Sequence, residues 1–283
     1  MSRLADRFAQ LARGQRCALI PYIAAGDPTP AVTVPLMHAL VAAGADALEL
    51  GVPFSDPMAD GPVIQRATER ALAHGVGMRQ TLELLREFRR TDTATPVILM
   101  GYLNPIEVMG YEQFAAAAAA AGADGIITVD LPPEEAEELN AALKKHRLDA
   151  IFLLAPTSPR ERIERIAAAA SGFIYYVSLR GVTGAAHLDV AEITDRLEDI
   201  RRHSRLPVGV GFGIDTPERA AQVSAVADAV IVGSAIVKRM EELAGEPPRL
   251  LIEVPAFLAT LRAAMDANEN RHSIVGISPG ASR

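Results

Sequence analysis

One apolar run carrying an acid leads into a Gly/Pro-broken loop carrying two more: Leu48-Glu49-Leu50-Gly51-Val52-Pro53-Phe54-Ser55-Asp56-Pro57-Met58-Ala59-Asp60-Gly61. Glu49 lies inside what reads as a short buried strand, bounded by Asp46 and Gly51. A carboxyl there is costly without partners. Asp60 follows across a loop stiffened by Pro53 and Pro57, which can bring it back over the strand end. Two carboxyls in unlike environments supply an acid and a base of different pKa. The alternative is a core glutamate held by an arginine or backbone amides, beside a solvated loop aspartate.

A Schiff-base lysine or a metal would be the competing means of catalysis in such a site. The only lysines are Lys144 and Lys145, on a charged helical pattern, and Lys238, late in the chain. None lies in a predicted strand. His38, His74, His146, His187, His203 and His272 are scattered without ligand spacing, so no metal site is expected. Acid–base chemistry by Glu49 and Asp60 is what remains.

The elements that must position these groups follow from periodicity. Short apolar runs near 17–23, 47–51, 97–100, 125–129, 150–154, 173–178, 208–211 and 229–232 alternate with helical patterns at 33–43, 80–90, 111–121, 133–146, 159–170, 190–202 and 216–226. That gives about eight βα units, the number of a closed (β/α)8 TIM barrel, with an extra N-terminal helix and a short extra helix after the eighth strand. An open doubly wound sheet has the same periodicity; the strand count and the lack of a linker favour closure. Ala-Gly-Ala-Asp occurs at 43–46 and again at 121–124, each time just before a strand, as equivalent αβ turns with glycine ending the helix would. Thr216-Pro217-Glu218 reads as a cap hydroxyl before a first-turn proline.

In a barrel the strand C-terminal ends form the active face, which directs attention to Asp27, Glu49, Asp60, Asn104, Asp130, Tyr175 and Ser178. Three late loops carry glycine: Gly181-Val182-Thr183-Gly184, Gly211-Phe212-Gly213 and Gly233-Ser234. Glycines let backbone N–H groups approach a phosphate, and a helix starting near Ser234 adds its positive end and a hydroxyl. Each loop alone is equally explained by a tight turn. The dinucleotide fingerprint and the Gly-Lys-Ser/Thr loop are missing, so a small phosphorylated metabolite is expected.

The chain has 283 residues and a net charge of −7, enough length for one large domain and the wrong sign for a nucleic-acid or anionic-membrane surface. Its densest basic run, Arg201-Arg202-His203-Ser204-Arg205, reads as a solvated helix end. Cys17 is the only cysteine, so no internal disulfide is possible and cytoplasm is the default compartment. The N-terminus lacks the apolar core of a signal peptide, and no run is long enough to span a bilayer. The barrel is assigned to 1–267; the tail 268–283 is polar and Gly/Pro-containing, a composition read as disordered.

The run from Leu48 to Gly61 resembles the signature of the tryptophan synthase α chain. So do, in family order, Pro21-Tyr22-Ile23-Ala24-Ala25-Gly26-Asp27-Pro28, Met100-Gly101-Tyr102-Leu103-Asn104-Pro105, Val129-Asp130-Leu131-Pro132, Gly181-Val182-Thr183-Gly184, Gly211-Phe212-Gly213-Ile214 and Gly233-Ser234-Ala235-Ile236-Val237-Lys238. The resemblance implies a metal-free lyase that reversibly cleaves indole-3-glycerol phosphate into indole and glyceraldehyde 3-phosphate. It implies Glu49 as the proton carrier and Asp60 as the partner of the indole N–H. Tyr22, Met100, Ile127, Tyr175 and Phe212 would line the site, and Thr183 would close on it and order Asp60. Gly184, Gly213, Gly233 and Ser234 would hold the phosphate. A pyridoxal phosphate-bearing β chain is implied as the partner, in an α/β heterotetramer, meeting Pro53, Asp56, Asn104, Pro105 and the loop 179–189; this chain itself would bind no cofactor. The rivals are an autonomous lyase, a catalytically silent subunit, and the neighbouring barrel enzymes indole-3-glycerol phosphate synthase and phosphoribosylanthranilate isomerase. The last two call for an early-strand lysine or cysteine, for which Cys17 is the only candidate.

Overall fold

Four polar side chains at the base of a parallel barrel repeat one contact. Asp46, Asp124, Ser171 and Asp228 each precede an even-numbered strand and accept the N–H of Leu19, Val97, Ala150 and Val208 on the odd-numbered strand before it, at 3.0, 2.8, 2.9 and 2.9 Å. The computed structural model in which they stand describes residues 2–178, 190–211 and 213–268. Thr183, Gly184, the rest of the loop 179–189, Phe212 and the tail from 269 lie outside the described residues.

The strands are β1 (Ala18–Ala24), β2 (Leu48–Gly51), β3 (Val97–Gly101), β4 (Gly125–Thr128), β5 (Asp149–Leu154), β6 (Ile174–Val177), β7 (Val208–Gly211) and β8 (Ala229–Val232). All pair in parallel with their neighbours in sequence, and β8 pairs with β1, closing the barrel. Eight strands of about the expected extents therefore match the periodic reading, with ends shifted by a residue or two. The side-chain period of two sends Leu48 and Leu50 outward into the shell beneath the helices and Ala47 inward, which leaves Glu49 on the inner face.

Around the barrel run α1 (Arg3–Arg13), α2 (Pro30–Ala42), α3 (Pro62–Ala73), α4 (Met78–Phe88), α5 (Leu103–Met109), α6 (Tyr111–Ala121), α7 (Glu137–Lys145), α8 (Arg160–Ala169), α9 (Val190–His203), α10 (Pro217–Ser224), α11 (Ser234–Glu242) and α12 (Pro247–Asp266). Leu4, Phe8 and Leu11 of α1 close the barrel bottom on Ala18, Ile20, Ile98, Ile127, Ile151 and Phe173. Gly44 and Gly122 of the two Ala-Gly-Ala-Asp turns both take positive φ, 105° and 93°, as the repeat predicts. Thr216 accepts the Arg219 N–H at 3.3 Å with Pro217 opening α10.

Three helices escaped the periodic reading. Prolines 247 and 248 argue against α12, but they stand in its first turn, where no N–H partner is needed. Pro62 opens α3 in the same way. Pro105 lies in the first turn of α5, so Asn104 and Pro105 are helical rather than loop residues. The helix expected over 133–146 is instead a short 3-10 turn, Pro133–Glu135, followed by α7. Among the described residues no helix is long and apolar enough to cross a membrane.

Candidate active site

The C-terminal strand ends surround a cavity of about 600 Å³ whose walls include Tyr22, Glu49, Asp60, Met100 and Tyr175. Glu49 is 2 % exposed, and its Oε1 has no hydrogen-bond partner among the described residues. Burial, followed by the nearby Asp60, pushes its carboxyl up to about 8. Asp60 is half-buried, and burial raises its carboxyl above the ordinary aspartate value. A hydrogen bond from Tyr102 opposes that rise. Tyr102 Oη donates to Asp60 Oδ2 at 3.0 Å and accepts the Ala59 N–H at 3.0 Å, while Gln65 Nε2 donates to the Asp60 carbonyl at 2.9 Å. The two acids thus share one cavity in different surroundings: Glu49 buried, with its Oε1 unpartnered among the described residues, and Asp60 hydrogen-bonded.

Two tyrosines lie across neighbouring glycines. A Cβ on Gly51 would stand 2.6 Å from the Tyr22 Cζ, and one on Gly211 would stand 2.6 Å from Cε2 of Tyr175. A larger residue at either glycine would displace a ring from the cavity wall. Burial raises both phenols well above their ordinary value, so they act as neutral walls and donors. Met100 lines the cavity as expected. Ile127 is fully buried one layer deeper in the barrel interior, and Thr128 and Val129 of the same region form the wall instead.

The strand-end polar residues do not all converge. Asp27 is fully buried against Arg70 at 2.6 Å, Asp130 accepts the Leu103 N–H at 2.8 Å, and Ser178 donates to the Gly211 carbonyl at 3.2 Å. Gly213, with φ of 73°, Gly233 and Ser234 do line the far side of the cavity, where α11 begins. Arg162 lines it too, from the first turn of α8, a cation the sequence reading did not single out. Lys238 is exposed on α11, and no lysine lines the cavity among the described residues. No group of three metal-ligating side chains occurs among the described residues.

On the rim, Asp56 and Asn104 are exposed and Pro105 is half-buried. Pro53 is buried, contrary to the expected contact surface, because it directly continues β2 beneath the loop. Tyr102 is the main omission: its phenol reaches Asp60 from the loop after the next strand, a pairing visible only once both strand ends are adjacent.

Comparison with known proteins agrees with this geometry. The family model described as tryptophan synthase alpha chain matches residues 8–266. The tryptophan synthase alpha chain of Nitrosococcus oceani is 62 % identical over 271 residues, covering 95 % of this chain and all (100 %) of that one. That of Thioalkalivibrio sulfidiphilus is 61 % identical over 266 residues, covering 94 % and 100 %. Among solved structures, tryptophan synthase subunit alpha from Legionella pneumophila superposes with a TM-score of 0.88 at 50 % identity, covering 94 % of this chain and 99 % of that one. A chain of the aminoacrylate-bound tryptophan synthase from M. tuberculosis does so at 0.82 and 39 %, covering 94 % and 100 %. With its closed eight-stranded barrel and an acidic cavity at the strand ends, this chain belongs to the tryptophan synthase alpha chain family, the lyases that cleave indole-3-glycerol phosphate.

Proposed function

We propose that Glu49 and Asp60 divide the work of that cleavage between them, and that α11 holds the phosphate. The observation that carries the proposal is the Glu49 carboxyl, buried without a described hydrogen-bond partner and pushed up to about 8, in the same cavity as the hydrogen-bonded Asp60. Near neutral pH Glu49 is a proton donor. It protonates indole C3, leaving positive charge on the ring nitrogen, and Asp60 accepts the N–H as that charge develops. The Glu49 carboxylate then takes the proton of the adjacent side-chain hydroxyl. The bond from C3 to that carbon breaks, its electrons restore the indole, and the hydroxyl carbon becomes the aldehyde of glyceraldehyde 3-phosphate. Glu49 ends protonated, as it began.

Gly213, Gly233 and Ser234 offer backbone N–H groups and the N-terminus of α11 to the phosphate, with the family position Gly184 completing that site, while Phe212 adds to the indole wall and Thr183 closes over it. Tyr22, Met100 and Tyr175 pack against the indole, and Ile127 supports that wall from below. The partner is a pyridoxal phosphate-bearing β chain that takes the indole, in a cytoplasmic heterotetramer; this chain carries no cofactor of its own. The exposed Asp56 and Asn104 lie beside Met58 and Val108, large apolar side chains 85 % and 81 % exposed, which supports a docking face at this rim.

Indole release from indole-3-glycerol phosphate tests the reading, measured for the chain alone, for Glu49→Gln, and with a β chain added. Slow release that the variant abolishes and the partner accelerates is expected. Fast release without a partner points to an autonomous lyase, and no release under either condition refutes the assignment of roles.

A further inference from the structure

A charged array links the two ends of the cavity from outside it. Arg70 on α3 donates to both carboxylate oxygens of the fully buried Asp27, at 2.6 and 3.2 Å, and to Glu241 at 2.9 Å. Arg66, one turn earlier, grips both oxygens of Glu241 at 2.6 and 2.8 Å. Arg66, chiefly, with Arg70 holds the Glu241 carboxyl down to about 2, so the array stays ionised throughout the working pH range. Glu241 is in the last turn of α11, the helix that opens at Ser234, and α3 opens directly after Asp60 and Gly61. Gln65 of α3 holds the Asp60 carbonyl, so the placement of Asp60 is referred to α3.

We infer that the array of Arg66, Arg70 and Glu241 couples phosphate binding at the start of α11 to the positioning of Asp60 at the start of α3. This rests on the proposed placement of phosphate and indole. A helix fixed by a phosphate at its N-terminus pulls on Glu241; two bidentate or bridging guanidinium contacts transmit that restraint to α3, and Arg70 braces both helices against the buried Asp27 behind β1. These three are positioning residues: none lines the cavity.

The test is a binding linkage that involves no reaction. Indole affinity is measured by calorimetry with and without glycerol 3-phosphate, which carries the phosphate half of the substrate but no aldehyde. In the wild-type chain glycerol 3-phosphate is expected to tighten indole binding by about fivefold or more. In Glu241→Gln, which leaves the Asp27 and Arg70 pair intact, the factor is expected to fall below about twofold, while each probe alone binds nearly as in wild type. Arg66→Gln, at a half-exposed side chain, is the second variant and is expected to behave alike. A purely structural role would weaken each probe separately and leave the factor unchanged; that result, in either folded variant, overturns the inference. A wild-type chain that binds both probes without mutual effect overturns it too while sparing the site, whereas failure to bind either probe overturns the site reading and this one together.

Discussion

Tyr102 Oη stands 3.0 Å from Asp60 Oδ2, so a side chain following β3 anchors the acid that follows β2. The same oxygen accepts the Ala59 N–H, which fixes the backbone on the N-terminal side of that acid. Removing the hydroxyl in Tyr102→Phe deletes one hydrogen bond to a charged group, worth about 1.5–3 kcal/mol. The turnover number is expected to fall about tenfold or more, with little change in affinity for glycerol 3-phosphate. The hydrogen bond lowers the Asp60 pKa, so its loss raises that value, and the acidic limb of the pH–rate profile is expected to move to higher pH. Steady-state kinetics across pH check both; an unmoved limb would mean that Asp60 is not the group reporting there.

The pH behaviour of Glu49 follows from its burial. Its carboxyl titrates near 8 in the fold and near 4.5 in the unfolded chain. In the proposed role Glu49 acts in its protonated form, so the rate should decline as pH rises through about 8. Stability moves the same way: between about 4.5 and about 8 the unfolded chain binds fewer protons than the native one, so rising pH favours unfolding through that window and has no further effect above it. Glu49→Gln removes this dependence and is expected to stabilise the fold at pH 7 by about 3 kcal/mol while abolishing cleavage. Urea unfolding of both proteins at pH 5 and pH 9 measures the difference, and a variant less stable at both values would contradict the buried-acid account.

The barrel and the meeting of Glu49 and Asp60 in one cavity were legible because each rests on local signals. Apolar runs of strand length set β1 to β8, the paired Ala-Gly-Ala-Asp turns marked equivalent junctions, and Glu49 stood out as an acid within a buried run. What was not legible depends on distance or depth. Period two puts Ile127 on the inner face but does not say which layer it occupies, and it lies beneath the wall that Val129 forms. Tyr102 and Asp60 become partners only when β2 and β3 pair. Asp27 looked like a site residue because it follows β1 closely, yet its charge is consumed by Arg70 of α3, a helix hidden from the reading by its opening proline.

Tyr22 and Gly51 offer a steric test of the cavity wall. The Tyr22 ring occupies the space a Cβ at position 51 would need, and Gly51 is itself buried in β2. Gly51→Ala is therefore expected to push the ring into the indole space and raise KM about tenfold, by overpacking of about 1–3 kcal/mol. Pairing it with Tyr22→Leu makes room for the methyl group and is expected to recover most of the loss. If the double variant is as impaired as the single one, the glycine is needed for backbone geometry rather than for the ring.

At the barrel base the fourfold contact has a different strength at each junction, and burial decides which. Asp124 is 4 % exposed and accepts from the Val97 N–H, Arg3 at 2.7 Å and Arg89 at 2.9 Å. Asp228 makes the equivalent backbone contact to Val208, but its pair with Arg201 is exposed at 37 % and 39 %. Asp124→Asn keeps an acceptor for Val97 but removes the closer counter-charge of the nearly buried Arg89, leaving it only the 3.9 Å pair with Asp92, so a loss of about 3 kcal/mol and a fall of roughly 6–10 °C in Tm are expected. Asp228→Asn removes a charge that water already screens and is expected to cost under about 1 kcal/mol. Both lie at the barrel end away from the cavity, so kcat should be unchanged in each. Thermal unfolding with parallel kinetics separates the cases: equal losses in the two variants would assign the stabilisation to the shared backbone contact, whereas the expected disparity assigns it to the charge cluster that Arg3 and Arg89 build around Asp124.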